Sequence, residues 1–171
     1  MRSLKTYTAK DSSHGFKSER GFTLIEALVV MAIMTMLAGT SLIVSMDSYR
    51  GFAFRGERDN LVASLVRARS QSMNNICLGG GCTDGKPHGV YVETGRYVIF
   101  QGASYAARDS AVDEILFVQN STVRFGTTSV EVVFAQLSGD VVTAKDIGVT
   151  DDVSHYSTTS VNTEGRISWT N

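Results

Sequence analysis

The chain has 171 residues, of which 43% are hydrophobic and 9% aromatic, with two cysteines, one proline and a net charge of −1. That length makes about one domain, and the near-zero charge excludes a generically basic nucleic-acid binder and a strongly acidic disordered tail. A single proline excludes collagen-like and Pro-rich low-complexity chains. Charge is unevenly placed along the chain. Residues 1–21 carry Arg2, Lys5, Lys10, Lys17 and Arg20 against Asp11 and Glu19, whereas residues 22–46 carry a single charge, Glu26.

The first predicted element is that apolar run. Its 25 residues exceed the roughly 20 needed for a helix to cross a bilayer, and it lacks the polar face that a core helix shows at 3.6-residue spacing. A basic leader stays on the cytoplasmic side, so everything after residue 46 is expected to be exported. An ordinary signal anchor is the plainer alternative, as is a secretory signal peptide cut near Ala38-Gly39-Thr40. The apolar core of a secretory signal is about 7–15 residues, shorter than this run. Glu26 fits neither alternative well. A carboxylate toward the bilayer centre costs about 2.5–3.5 kcal/mol, and an intramembrane acid usually has a partner. Nothing else in 22–46 is charged, so the partner must lie outside the helix or be a new chain terminus.

Arg20-Gly21-Phe22-Thr23-Leu24-Ile25-Glu26 resembles the prepilin-peptidase site of type IV pilins and type II secretion pseudopilins. The resemblance implies cleavage between Gly21 and Phe22, N-methylation of Phe22, and a role for Glu26 as the assembly contact. Its carboxylate would neutralise the Phe22 amine of an adjacent subunit. Many pilins have a proline within the apolar segment, and this chain has none there.

At 100° per residue, Phe54, Leu61, Leu65 and Ala68 of the next stretch fall on one stripe, flanked by Val62, Val66 and Met73. Asp59, Asn60, Ser64, Arg67, Ser70, Gln71 and Asn74 fill the opposite arc. This is an amphipathic helix laid on an apolar surface. Phe22 to Asn74 is 53 residues, about 80 Å if continuously helical, with Gly39, Gly51 and Gly56 as points where it could bend. Arg50, Arg55, Arg58, Arg67 and Arg69 read as a solvated face in contact with headgroups.

Beyond residue 76 the period becomes two. Val90–Phe100 reads as a hairpin turning at Thr94-Gly95. Further strands are expected at 115–118, 123–125, 130–134, 147–149, 157–161 and 166–169, with Ser138-Gly139-Asp140 turning the chain into a strand at Val141-Val142. The expected fold class is α+β: a long N-terminal helix, apolar in its transmembrane half and amphipathic in the other, packed on an antiparallel β-sheet head. The expected organisation is leader 1–21, transmembrane helix half 22–46, amphipathic half 47–75 and exported head 76–171.

Three patches are similar to stretches of the GspH/FimT minor pilins: Leu65-Val66-Arg67-Ala68-Arg69-Ser70, Val133 to Gly139, and Val161 to Ile167 with its Gly165-Arg166-Ile167 ending. In an exported location, Cys77 and Cys82, with four residues between them, three of them glycines, favour a disulfide. A zinc site from Cys77, Cys82, His88 and His155 and a pair of free thiols are the alternatives. Asp146, Asp151 and Asp152 could offer oxygens to Ca²⁺, against the plainer reading of a solvated acidic turn. No catalytic, metal or cofactor motif is present, so the chain reads as a non-enzyme without a cofactor.

The resemblance thus implies a structural minor pilin or pseudopilin subunit, held in the bacterial inner membrane by one span with its head periplasmic or extracellular, and later assembled into a type IV pilus or secretion pseudopilus. Its partners would be prepilin peptidase, other pilin subunits through the N-terminal helix, and membrane lipid. The alternative is a pilus-associated DNA-uptake module. From residue 71 on, six basic residues face eleven acidic ones, which argues against nucleic acid as a partner.

Overall fold

The computed structural model describes residues 21–170 except 127–128 and 152–153, with the side chains of 41–47 also outside the described set. Among the described residues, one α-helix, α1 (Leu24–Met73), is followed by eight strands, with a short 3-10 helix (Ser110–Val112) before the third: β1 (His88–Glu93), β2 (Arg96–Gln101), β3 (Glu114–Phe117), β4 (Arg124–Phe125), β5 (Val130–Phe134), β6 (Lys145–Thr150), β7 (Tyr156–Val161) and β8 (Ile167–Thr170). The chain divides after Leu42 into two compact units.

α1 runs through Gly39, Gly51 and Gly56 without interruption. Its C-terminal end is sharply defined. Asn75 adopts a left-handed conformation with φ of 54°, and Ile76 N–H donates to Gln71 O at 3.0 Å while Asn75 N–H donates to Ser72 O at 3.1 Å. These are the paired bonds of a Schellman cap, which satisfies carbonyls that the helix leaves open.

The head differs from the single sheet expected. Its strands form two antiparallel sheets of four, ordered β3-β2-β1-β5 and β4-β6-β7-β8. The expected hairpin is there, with Val90 opposite Ile99 and Glu93 opposite Arg96. Gly95, at φ of 78°, supplies the left-handed turn residue. Val141-Val142 is not a strand: Val141 is buried and donates its N–H to Thr163 O at 2.9 Å, whereas Val142 is 97% exposed. The chain after the 138–140 turn thus contributes one plug to the core before β6 begins.

One core joins the amphipathic part of α1 to both sheets. Phe54, Leu61, Leu65 and Ala68 meet Val90, Val92, Tyr97, Ile99, Val132 and Phe134 of the first sheet, and Phe125, Ile147, Val149 and Val161 of the second. The flanking Val66 and Met73 stay exposed. Several polar residues go inward instead. Ser64, assigned to the solvent arc, is buried, as are Glu57 and Ser72. The Ser72 hydroxyl accepts from His88 N–H at 2.8 Å and donates to Phe134 O at 3.0 Å, which links α1 to the first strand pair. Glu57 accepts from Gln119 N–H at 2.6 Å. These partners, all on distant backbone, offset the burial of Ser72 and of one Glu57 oxygen, while Glu57 Oε2 is buried without a hydrogen bond among the described residues.

A second layer covers the outer face of the first sheet. Val98 and Phe100 are buried although they lie outside the main core. The chain after β2 folds back over them: Tyr105 stacks on Tyr91 at 3.9 Å between centroids and packs edge-on to Phe100 at 5.6 Å. Its N–H donates to Glu131 at 2.6 Å. Arg108 lies 3.7 Å over the Tyr105 ring and pairs with Asp113 at 2.7 Å.

Candidate processing and assembly segment

Gly21, Phe22 and Thr23 precede α1. A Cβ on Gly21 would meet nothing within 4 Å, so the Gly21–Phe22 peptide is uncrowded by the rest of the described chain. Thr23 is the helix cap. Its hydroxyl accepts from Glu26 N–H at 3.3 Å and its carbonyl accepts from Ala27 N–H at 3.1 Å. Thr23 and Glu26 have the Thr-x-x-Glu spacing of a capping box, and Glu26 stands in the first turn, where a negative charge complements the helix dipole. Glu26 therefore has a local role in starting the helix. The Thr-x-x-Glu spacing is the sequence signal of this cap. Among the described residues, no cation pairs with the Glu26 carboxylate.

Every large apolar side chain from Phe22 to Leu37 is exposed, from 82% at Phe22 to 47% at Val30. Each such side chain gains about 1.5–3 kcal/mol on full burial, so this surface has a strong drive toward an apolar environment. Among the described residues, no helix is long and apolar enough to cross a membrane. The expected span 22–46 lies partly outside them, because the described side chains stop at Thr40 and resume at Ser48.

Residues 16–42 match the family model of the prokaryotic N-terminal methylation motif. The match supports a type IV pilin-like precursor. It suggests processing by prepilin peptidase, membrane anchoring before assembly with other pilins, and a structural subunit in place of an enzyme. No curated protein and no solved structure matches the chain.

The three sequence patches of the head converge at the end of α1. Arg69 Nε donates to Gly139 O at 3.3 Å, and its Nη2 donates to Glu164 O at 3.1 Å. Gly165, at φ of 69°, packs so closely that a Cβ there would overlap Gly139 O. Gly139 itself has φ of 71° and faces Met73 and Arg69. Arg69 is thus a tie between helix and head, not part of a solvated face. Arg67 pairs with Glu114 at 2.7 Å, and Arg58, largely buried, pairs with Asp59 at 2.9 Å beneath the Trp169 ring. Arg50 and Arg55 are the two that remain exposed without a partner among the described residues.

Cys77 and Cys82 form a disulfide, with their Cα atoms 5.8 Å apart. The loop is also held by the buried Gln101, which accepts from Leu78 N–H at 2.6 Å and donates to Leu78 O at 3.2 Å. Among the described residues, no group of His, Cys, Asp and Glu is placed to hold a metal ion. His88 is buried in β1, where loss of hydration holds its pKa below the usual histidine value despite an opposing effect of the Lys86 main chain. Among the described residues, neither His88 ring nitrogen makes a hydrogen bond of ordinary geometry. Burial also raises the Tyr97 phenol to about 12, helped by the nearby Glu57 charge and opposed by a Ser64 hydrogen bond.

Asp151, one of the three acids that could offer oxygens to Ca²⁺, uses both carboxylate oxygens in contacts with its own turn. Oδ1 accepts from Ser154 N–H at 2.9 Å and His155 N–H at 2.8 Å, and Oδ2 lies 2.6 Å from His155 Nδ1. Asp146 is exposed on β6, and Asp152 lies outside the described residues. Ser154 Oγ lies 3.2 Å from the same His155 Nδ1 that Asp151 contacts. A hydrolytic triad needs the serine and the acid on opposite ring nitrogens, so this turn is not one.

Proposed function

We propose that the chain is a minor pilin or pseudopilin subunit of the GspH/FimT type. Prepilin peptidase cuts between Gly21 and Phe22, the new Phe22 amine is methylated, and the apolar half of α1 passes from the inner membrane into a filament. The observation that carries this reading is the methylation-motif match over residues 16–42, within which α1 starts at a cap and every large apolar side chain from Phe22 to Leu37 is uncovered. Such a helix needs lipid or other helices around it. Convergence of the Leu65–Ser70, Val133–Gly139 and Val161–Ile167 patches on Arg69 supports the finer assignment.

In this reading Glu26 meets the Phe22 amine of the next subunit, since a buried charge that loses its partner costs roughly 3–5 kcal/mol. The test is to express Glu26→Gln with the native assembly machinery, then measure processed subunit separately in membranes and in sheared fibres. Cleavage and insertion should persist while fibre incorporation falls. Undiminished incorporation refutes Glu26 as the docking contact. A mature N-terminus other than Phe22 by mass spectrometry refutes the processing assignment.

A further inference from the structure

The described arginines of α1 divide into two groups. Arg58 packs on Trp169, Arg67 pairs with Glu114 and Arg69 with Glu164 O, all of the head, whereas Arg50 and Arg55 are exposed and unpaired among the described residues. The unpaired two are near neighbours in sequence of Tyr49, 68% exposed, and Phe52, 72% exposed, and the four positions ring the part of the helix that the head leaves open. On the other side of the same turns, Phe54 and Gly51 are covered: the His155 ring stacks on Phe54 at 5.5 Å, and its Nε2 is 3.6 Å from where a Cβ on Gly51 would stand. The head therefore covers one side of the helix here and leaves the aromatic and basic side chains free.

We infer that Tyr49, Arg50, Phe52 and Arg55 form an interfacial collar that seats on anionic phospholipid headgroups of the leaflet from which the head emerges. The inference rests on the reading of residues 22–46 as bilayer-embedded. A 25-residue apolar helix rises about 38 Å, so it tilts to keep its length within the ~30 Å hydrocarbon core, and the turns that follow Met46 then lie at headgroup level. Residues 49–55 follow Met46 within about 15 Å of helical rise. Aromatic rings concentrate at that depth, and long basic side chains reach from it to the phosphates.

Two unpaired guanidinium groups select anionic lipid over a second copy of the same helix, which would bring like charges together. Asp47 is the one acid between residues 47 and 55, so the stretch keeps a positive balance. Before assembly the collar fixes the depth of the helix and the height of the head above the bilayer; extraction into a filament must release it.

The experiment uses the full chain in vesicles of phosphatidylcholine alone or mixed with phosphatidylglycerol. Trp169 is the sole tryptophan, so Trp169→Phe combined with Phe52→Trp places one fluorophore in the collar. In anionic vesicles its emission should shift to the blue and be quenched more by lipids brominated near the headgroup than by those brominated deep in the chain. Adding Arg50→Gln and Arg55→Gln should lower the docked-to-undocked ratio about 30-fold there, from roughly 1 kcal/mol per basic residue at an anionic surface.

Resistance to alkaline extraction is measured on the same samples. Stable insertion with a fully hydrated fluorophore overturns the collar and spares the membrane reading. Loss of insertion in the variant that keeps both arginines overturns the membrane reading and the collar with it. Shielding that follows the protein-to-lipid ratio and ignores lipid charge assigns the face to a neighbouring subunit, and also overturns the collar.

Discussion

Replacing Gly165 with alanine, with Gly95→Ala as its partner experiment, separates backbone strain from close packing at the helix-to-head node. Both glycines have left-handed φ, 69° and 78°. An L-residue there costs about 1–2 kcal/mol. Their surroundings differ. A Cβ on Gly95 meets nothing within 4 Å, whereas one on Gly165 overlaps Gly139 O and falls 2.9 Å from Arg69 Nε. The obstacle is main chain, so the turn at Gly139 or the Val161–Ile167 return must move. Overpacking of this kind adds roughly 1–3 kcal/mol, and displacement of Glu164 O and Gly139 O weakens both Arg69 hydrogen bonds.

Gly95→Ala should therefore lose about 1–2 kcal/mol and Gly165→Ala about 2–5 kcal/mol. Urea titration of detergent-solubilised full-length protein, followed by far-ultraviolet circular dichroism, reads the difference in midpoint. A double-mutant cycle with Arg69→Ala should be non-additive, because both changes disrupt one node. Equal losses for the two glycine variants would refute the close-packing argument. Additivity with Arg69→Ala would refute the node.

Ser72→Ala should destabilise the head by about 2–4 kcal/mol, because it strands the buried His88 N–H and a Phe134 carbonyl contact; Ser70→Ala, on the exposed side, is the control in the same titration. His88 has its folded pKa held below the unfolded value of about 6.5, so the unfolded state takes up a proton first. Stability should hold above that pH and fall as pH drops below it, and His88→Leu should flatten that part of the stability-versus-pH profile relative to the native protein. Reduction of Cys77–Cys82 should cost about 2–3 kcal/mol. Alkylation mapping should show the reduced loop still ordered through Gln101 and released when Gln101→Ala is combined with reduction. Full-length protein in zwitterionic vesicles should retain double-stranded DNA only weakly at physiological salt, given the acidic balance from residue 71 on; micromolar, salt-sensitive binding would favour the DNA-uptake alternative.

The sequence by itself determined the elements whose signals are local. The stripe of Phe54, Leu61, Leu65 and Ala68 is buried, because helical periodicity is a property of consecutive residues. The β1–β2 hairpin follows from alternation around Thr94-Gly95. Tertiary structure decided the rest. Strand alternation cannot tell which distant strand is the neighbour, so one expected sheet became two. A serine reads as polar whether it faces water or a distant carbonyl, so Ser64 and Ser72 were legible only with Tyr97 and Phe134 in place. Val98 and Phe100 read as an ordinary alternating strand until the Tyr105 segment covered the outer face. Arg69 became a tie because two left-handed glycine turns, some 70 and 95 residues downstream, present carbonyls to it. A guanidinium takes whichever acceptors the fold brings near, and pattern along the chain carries no record of them.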